Sequence, residues 1–259
     1  MHGKFLFLGT GGSAGVPLIG CDCSVCTSKD PKNQRLRPSG LITVGGKKLL
    51  IDIGPDFRAQ ALRAGIKELD GLLLTHTHYD HIAGIDELRI FNVRQKKSFP
   101  CLLSKESDLD LRSRYSYLFR AKEADEADAT QIDCCVLPSD AGHIDFLGVP
   151  IRYFSFFQGK MQITGFRIGH FAYVSDIRRF DETIFDHLAG VEKLVLSALR
   201  SEPSRMHFTL DEATAFARKV GAQETYLTHI SHAIDHATVS KRLSSGMHLG
   251  YDGLEVSFE

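Results

Sequence analysis

A cluster of metal-binding side chains directly after a short apolar run constrains this chain more than any other feature. Three leucines predict a buried strand, and Thr75-His76-Thr77-His78-Tyr79-Asp80-His81 follows them. Side chains two apart in an extended segment point the same way, so His76 and His78 can hold one metal ion while Asp80 and His81 reach a second. Imidazole and carboxylate ligands suit zinc, manganese or iron, and two such ions form a hydrolytic centre. A polar loop that happens to be rich in histidine explains this phasing poorly.

Composition narrows the class of protein. The 259 residues are 43% hydrophobic, and 31 basic residues against 32 acidic ones give a net charge of -1. A near-neutral chain argues against recruitment to nucleic acid or to a membrane surface by its overall field. The apolar stretch near Met1 is too short for a signal peptide, and no segment is long enough to cross a bilayer. We therefore expect a cytoplasmic protein with no membrane partner.

A second cluster contains cysteine. Cys21-Asp22-Cys23-Ser24-Val25-Cys26 supplies three thiols in six residues, a spacing that suits a structural tetrahedral zinc with a fourth ligand from elsewhere. Free thiols, or one disulfide with a spare thiol, are the alternative. The strand-like run 225–228 leads into His229-Ile230-Ser231-His232, whose two histidines would face different directions, so that one could complete each metal site. If the segment were helical, they would share a face instead.

Apolar runs alternate with helical patterns along the rest of the chain, which predicts an α/β fold in one domain over 1–259 with a helical insertion around 95–145. The charged run 122–128 predicts a solvated face or loop. The strand-like runs are 4–8, 40–44, 48–53, 71–74, 149–156, 165–168, 172–174, 193–196, 224–228 and 254–258. The helical patterns are 55–64, 82–91, 108–122, 181–189 and 210–220.

Together these motifs resemble the metallo-β-lactamase superfamily. The carrying features are His-x-His-x-Asp-His after a strand, Asp52 ending an earlier strand and Asp176 ending a later one. The stretch 8–17, the cysteine loop, 228–232 and 250–255 are similar to the branch that contains the phosphoribosyl cyclic phosphate phosphodiesterase. The resemblance implies a four-layer αβ/βα sandwich, with two mixed sheets flanked by helices.

The resemblance also implies ligand sets and roles. Asp176 would bridge two divalent ions, manganese or zinc, and Asp52 would accept a hydrogen bond from a ligand histidine. Asp80 and His207 would be catalytic, with His207 protonating a leaving alkoxide, although a lone histidine at a helix entry is as often structural. The implied active-site ligands are His76, His78, Asp80, His81, Asp176 and His229. The implied structural zinc ligands are Cys21, Cys23, Cys26 and His232.

One position departs from the family pattern. Gln158 stands where a ligand histidine is expected, and an amide oxygen is a weaker ligand than imidazole, so this site should bind metal less tightly or prefer manganese. Three outcomes are open. Gln158 could coordinate through its carbonyl oxygen, His143 or His170 could replace the missing ligand, or the site could stay empty.

The expected function is that of a metal-dependent phosphodiesterase, which acts on a small phosphate ester, cyclic or not, through a metal-activated hydroxide. The enzyme alternatives are an RNA-processing nuclease of the same superfamily, which makes nucleic acid the weaker partner, and a lactone or thioester hydrolase. Gln158 motivates a further alternative, a catalytically weakened metal-binding or sensing protein. Homodimer formation is left open.

Overall fold

Two seven-stranded mixed sheets, packed face to face, form the centre of the molecule. The computed structural model describes residues 2–119 and 130–259. The first sheet has the order β14-β1-β2-β3-β4-β5-β6, and the second has the order β13-β12-β11-β10-β9-β8-β7. The strands of the first sheet are β1 Gly3–Gly9, β2 Ser39–Val44, β3 Lys47–Ile51, β4 Gly71–Leu73, β5 Phe99–Leu103, β6 Ile132–Val136 and β14 Glu255–Phe258. Those of the second are β7 Ala141–Phe146, β8 Val149–Gln158, β9 Met161–Ile168, β10 Phe171–Val174, β11 Lys193–Ser197, β12 Glu224–Thr228 and β13 Met247–Leu249.

Helices cover the outer face of each sheet. The helices are α1 Phe57–Arg63, α2 Tyr79–Ile82, α3 Arg89–Gln95, α4 Lys105–Arg114, α5 Ile184–Leu188, α6 Leu210–Val220 and α7 His236–Ser240. Short 3-10 helices occupy Pro31–Asn33, Ile85–Leu88 and Ser116–Phe119. Within 2–119 and 130–259, no helix is long and apolar enough to span a membrane.

Three apolar layers hold this arrangement together. Residues such as Phe5, Phe7 and Tyr173 fill the space between the sheets, where the rings of Phe5 and Phe7 meet edge to face with centroids 4.7 Å apart. A second cluster packs α6 onto the second sheet through Phe216, and a third packs α1 and α3 onto the first through Phe57 and Phe91. The predicted four-layer sandwich is therefore confirmed.

One edge of the sandwich collects the carboxyl ends of many strands. β3, β4, β5 and β6 run parallel in the first sheet, and β10, β11, β12 and β13 run parallel in the second. β8 points the same way as β10, because each is antiparallel to β9 between them. Side chains that follow these strands therefore meet at one edge.

The prediction of a helical insertion around 95–145 needs correction. The described residues of that range contain α4, but also β5, β6 and the start of β7, which extend the two sheets. β5 is a short, almost fully buried run that contains Pro100, so it lacks the alternation of a half-exposed strand. The helix predicted at 108–122 is α4, which begins earlier at Lys105 and ends at Arg114. The last positions of the predicted helix, 120–122, and the whole of the charged run 122–128 lie outside the described residues.

Candidate metal centre

Two aspartates and one histidine that follow strands have a left-handed backbone conformation. Asp52 follows β3 with φ 57°, Asp176 follows β10 with φ 57°, and His229 follows β12 with φ 58°. This conformation is uncommon outside glycine, and it persists where the surrounding structure over-determines it, typically at functional sites. All three side chains are buried at the shared edge of the sheets.

The candidate active-site ligands converge there. His229 Nε2 lies 3.3 Å from Asp80 Oδ2 and 3.2 Å from Asp176 Oδ1. His81 Nε2 lies 3.0 Å from Asp176 Oδ2 and 3.4 Å from Asp80 Oδ2. Three overlapping groups have all their ligand atoms within 4.8 Å of one another: His76, His81 and Asp176; Asp80, His81 and His229; and Asp176, His207 and His229.

The donor set fits a cation. His81 Nδ1 donates to Asp52 Oδ2 over 2.7 Å, so Nε2 of the neutral ring carries a lone pair. That nitrogen is buried without a hydrogen-bond partner, although it faces carboxylate oxygens of Asp80 and Asp176. A lone pair against carboxylates is repulsive unless a positive charge lies between them. Burial opposes a charge on His81, but Asp80, Asp52 and Asp176 outweigh it and raise the pKa of the imidazole. Where no metal is bound, a proton on Nε2 therefore supplies the positive charge.

His76 and His78 form the other part of the centre. Their nitrogens Nε2 and Nδ1 are 2.9 Å apart, close enough to share one ion. Burial lowers the pKa of His76 well below its usual value, which keeps the ring in the neutral form that binds metal. Thr75 links this histidine to Asp52, because its hydroxyl contacts His76 Nδ1 at 2.9 Å and donates to Asp52 Oδ2 over 2.8 Å. The sequence analysis missed Thr75, since a threonine beside a strand end carries no signal of its own.

Gln158 enters the same centre from the end of β8. Its Nε2 lies 3.2 Å from Asp176 Oδ1 and 3.1 Å from His207 Nδ1, and His207 Nδ1 lies 3.1 Å from Asp176 Oδ1. The imidazole that contacts Gln158 is therefore that of His207.

His143 and His170 do not replace the missing ligand. His143 accepts from Arg152 Nε over 2.8 Å and pairs across the strands with that residue. Arg152 lies six residues before Gln158 on β8, or about 20 Å away. His170 lies beyond the opposite end of β9, against the carbonyl oxygen of Gly190 at 2.8 Å. Both alternatives were wrong, because strand direction carries these histidines to the far edge of the sheet.

A glycine that the sequence analysis quoted only as part of a motif touches the centre. A Cβ on Gly12 would lie 2.9 Å from Leu199 Cδ1 and 3.4 Å from His229 Nδ1. The loop after β1 therefore packs directly against a candidate ligand, and a side chain at position 12 would press on Leu199 and contact His229.

The cysteine cluster and His232 form a separate site. His232 Nδ1 lies 3.4 Å from both Cys21 Sγ and Cys23 Sγ, and the Cys26 amide donates to Cys23 Sγ over 3.4 Å. The Cys26 amide, followed by His232, lowers the pKa of the Cys23 thiol to about 6, which favours the thiolate that zinc binds. All four ligand atoms lie within 4.8 Å of one another, as a tetrahedral site of three sulfur ligands and one nitrogen ligand requires.

Comparison with known proteins gives a consistent family. A model described as a beta-lactamase superfamily domain matches residues 47–230. A crystal structure described as a new diphosphatase from the PhnP family superposes with a TM-score of 0.91 and 36% identity, over 100% of this chain and 98% of that one.

Two curated relatives are matched over part of their length. The chain is 37% identical to the octanoyltransferase of Porphyromonas gingivalis in an alignment 260 residues long, which covers 98% of this chain and 51% of that protein. It is 32% identical to ribonuclease Z of Methanopyrus kandleri over 151 residues, which are 56% of this chain and 46% of that protein. The chain thus spans about half the length of these relatives.

Proposed function

The chain belongs to the metallo-β-lactamase superfamily, and we propose that it is a metal-dependent phosphodiesterase that acts on a small phosphate ester. The observation that carries the proposal is the unpartnered Nε2 of His81, aimed between two carboxylates at the edge where both sheets end. Such an arrangement is stabilised by positive charge, and a pair of divalent cations placed there would be suited to phosphoryl chemistry.

The residues divide into two sets that share Asp176. Asp80, His81, Asp176 and His229 would hold one divalent ion, while His76, His78 and Asp176 would hold the other with help from Gln158. When bound, such ions acidify a water molecule and neutralise charge on phosphoryl oxygens. Manganese and zinc both suit these nitrogen and oxygen donors. Cys21, Cys23, Cys26 and His232 would hold a structural zinc that stabilises the loop.

His207 is the proposed proton donor. Its side chain is 15% exposed and contacts Asp176, so it stands between the ligand set and solvent. A group in this position can donate a proton to a leaving alkoxide and recover one from water. Asp176 and Gln158 both contact Nδ1 of the ring and together position it.

A phosphate anhydride is the second candidate substrate. A solved structure that matches at 36% identity over nearly its whole length is described as a diphosphatase, and hydrolysis of an anhydride uses the same attack on phosphorus. In that case the departing group is a phosphate, which needs protonation less than an alkoxide does.

The test is a substrate screen on the metal-loaded chain. Bis-p-nitrophenyl phosphate, nucleoside 2′,3′-cyclic phosphates and nucleoside diphosphates should be assayed with added manganese or zinc, with metal content measured in parallel. We expect phosphodiester hydrolysis that Asp176→Asn abolishes and that His207→Gln reduces by about 10²–10⁴-fold. The Asp186→Asn control changes an exposed residue of α5 and should keep full turnover. A fully loaded protein that hydrolyses neither diesters nor anhydrides would refute the proposal.

A further inference from the structure

An exposed aromatic residue is flanked along the chain by two candidate metal ligands. Tyr79 stands between the candidate ligands His78 and Asp80, yet it is 66% exposed whereas Asp80 is 4% exposed. α2 begins at Tyr79, so the same turn that buries the aspartate leaves the tyrosine facing solvent. A large ring beside metal ligands can contact whatever those ligands hold.

Two further tyrosines stand on the neighbouring segment. The ring centroids of Tyr115 and Tyr117 are 6.2 Å apart, within the range of aromatic contact. The Tyr117 hydroxyl donates to the carboxylate of Asp86, which lies in the 3-10 helix that follows α2. This bond fixes the ring of Tyr117, itself 41% exposed, to the element that directly follows α2 and its first residue, Tyr79.

The tyrosine segment is fixed to the metal-binding loop. Arg114, the last residue of α4, donates from Nη1 to the carbonyl oxygen of Thr77 over 2.8 Å, and Thr77 separates His76 from His78. The same guanidinium is held by Asp110, so its planar fork is preorganised. Burial, together with Asp86 and Tyr79 and against Arg114, raises the pKa of Tyr115, so that phenol stays uncharged at neutral pH.

We propose that Tyr79, Tyr115 and Tyr117 form a subsite that stacks the nucleobase of a mononucleotide substrate while the adjacent metal centre holds its phosphate. The inference rests on the proposed function and adds the substrate class. A nucleobase offers a flat π-face to the exposed rings of Tyr79 and Tyr117, and stacking of a base on such rings is favourable. An aliphatic group has no π-face and would gain less from these rings.

The test compares two esters that differ only in the base. Adenosine 2′,3′-cyclic phosphate and methyl riboside 2,3-cyclic phosphate should be assayed with the manganese-loaded full chain. We expect kcat/KM to favour the adenosine ester by about tenfold, since stacking on aromatic side chains is of this order. Tyr79→Ala should bring the ratio close to one, whereas Tyr79→Phe should keep it.

Controls separate the possible failures. Because Tyr79 adjoins metal ligands, metal content is measured for each variant, and Tyr117→Ala provides a second variant that should also lower the ratio. Equal kcat/KM values for both esters in the wild type would overturn the subsite and leave the proposed function standing. No turnover of either ester at full metal content would overturn the subsite, and the screen of other diesters and of anhydrides would then decide the proposed function.

A binding measurement gives a readout that does not depend on turnover. Titration calorimetry should show adenosine monophosphate binding about tenfold more tightly than methyl riboside phosphate to the loaded wild type, and no such difference in Tyr79→Ala. Equal affinities in the wild type would overturn the inference. A trinucleotide with the same cyclic end that exceeded the mononucleotide in kcat/KM by more than about tenfold would overturn the mononucleotide assignment in favour of RNA.

Discussion

Replacing Asp52 with asparagine should weaken metal binding without removing any proposed ligand. Asp52 is fully buried, and each of its two oxygens accepts a hydrogen bond from a different N–H group. Oδ1 accepts from the Thr75 amide over 2.8 Å, and Oδ2 accepts from His81 Nδ1 over 2.7 Å. Asparagine has one oxygen and one NH2 group, so one of these two N–H donors must face another donor. Either His81 loses its fixed orientation or the Thr75 loop loses its anchor.

The size of the effect follows from these contacts. Loss of a residue that orients a ligand histidine typically lowers metal affinity by about 10–100-fold, which corresponds to about 1.4–2.7 kcal/mol. A buried donor without an acceptor costs about 1–3 kcal/mol of folding stability. For Asp52→Asn we therefore expect the metal Kd to rise by about 10–100-fold and the free energy of unfolding to fall.

The assay is a chelator competition titration combined with urea unfolding. Asp70→Asn is the matched control, because Asp70 accepts from the Lys48 amide over 2.9 Å at the opposite end of β3 and β4. It should lose some stability and keep the wild-type metal Kd. A metal Kd for Asp52→Asn within twofold of wild type, or an equal loss of affinity in both variants, would refute the reasoning.

Three more predictions concern other parts of the chain. Gln158→His should raise metal content at the His76/His78 site, because imidazole is a stronger ligand than an amide; equal content in both proteins by elemental analysis would contradict it. Cys23→Ser should remove one zinc equivalent and lower Tm more than turnover, while Cys135→Ser, outside the cysteine site, should keep its zinc; an unchanged Tm for Cys23→Ser would be evidence against the structural zinc. Burial, followed by Arg35, lowers the pKa of His236 to about 4, below the unfolded value of about 6.5. The native state thus binds fewer protons, and this contribution to stability is lost as pH falls from about 6.5 towards 4, by about 1 kcal/mol at pH 5.5. His236→Gln should flatten this dependence in urea unfolding, and identical slopes from pH 7.5 to 5.5 would argue against it.

Features written in short stretches of sequence were predictable. α6 spans 210–220 as expected, because Thr209 and Glu212 form a capping box at its start and Gly221, with φ 75°, ends it. The ligands of the 75–81 motif follow a strand that an apolar run marks clearly. In both cases the deciding contacts lie within a few residues along the chain.

Features set by distant parts of the chain were not predictable in the same way. Gln158 and His207 are 49 residues apart in sequence, yet they touch because β8 ends beside the segment that leads into α6. The left-handed backbone of Asp52, Asp176 and His229 is imposed by the strands around them and contradicts local preference. β5 gave no alternating pattern because four of its five residues are buried, whereas β6 is the edge strand and only Ile132 of its five residues is buried.

The two halves of the proposed centre should differ in affinity. Asp80, His81, Asp176 and His229 offer two carboxylates and two imidazoles to one ion, and Asp52 fixes one of these imidazoles. The other ion would share Asp176 and otherwise depend on two imidazoles and a neutral amide. Less negative charge and one weaker donor predict that this half fills second, and at higher metal concentration. The departure at position 158 therefore changes the order of loading rather than the chemistry that both ions together would supply.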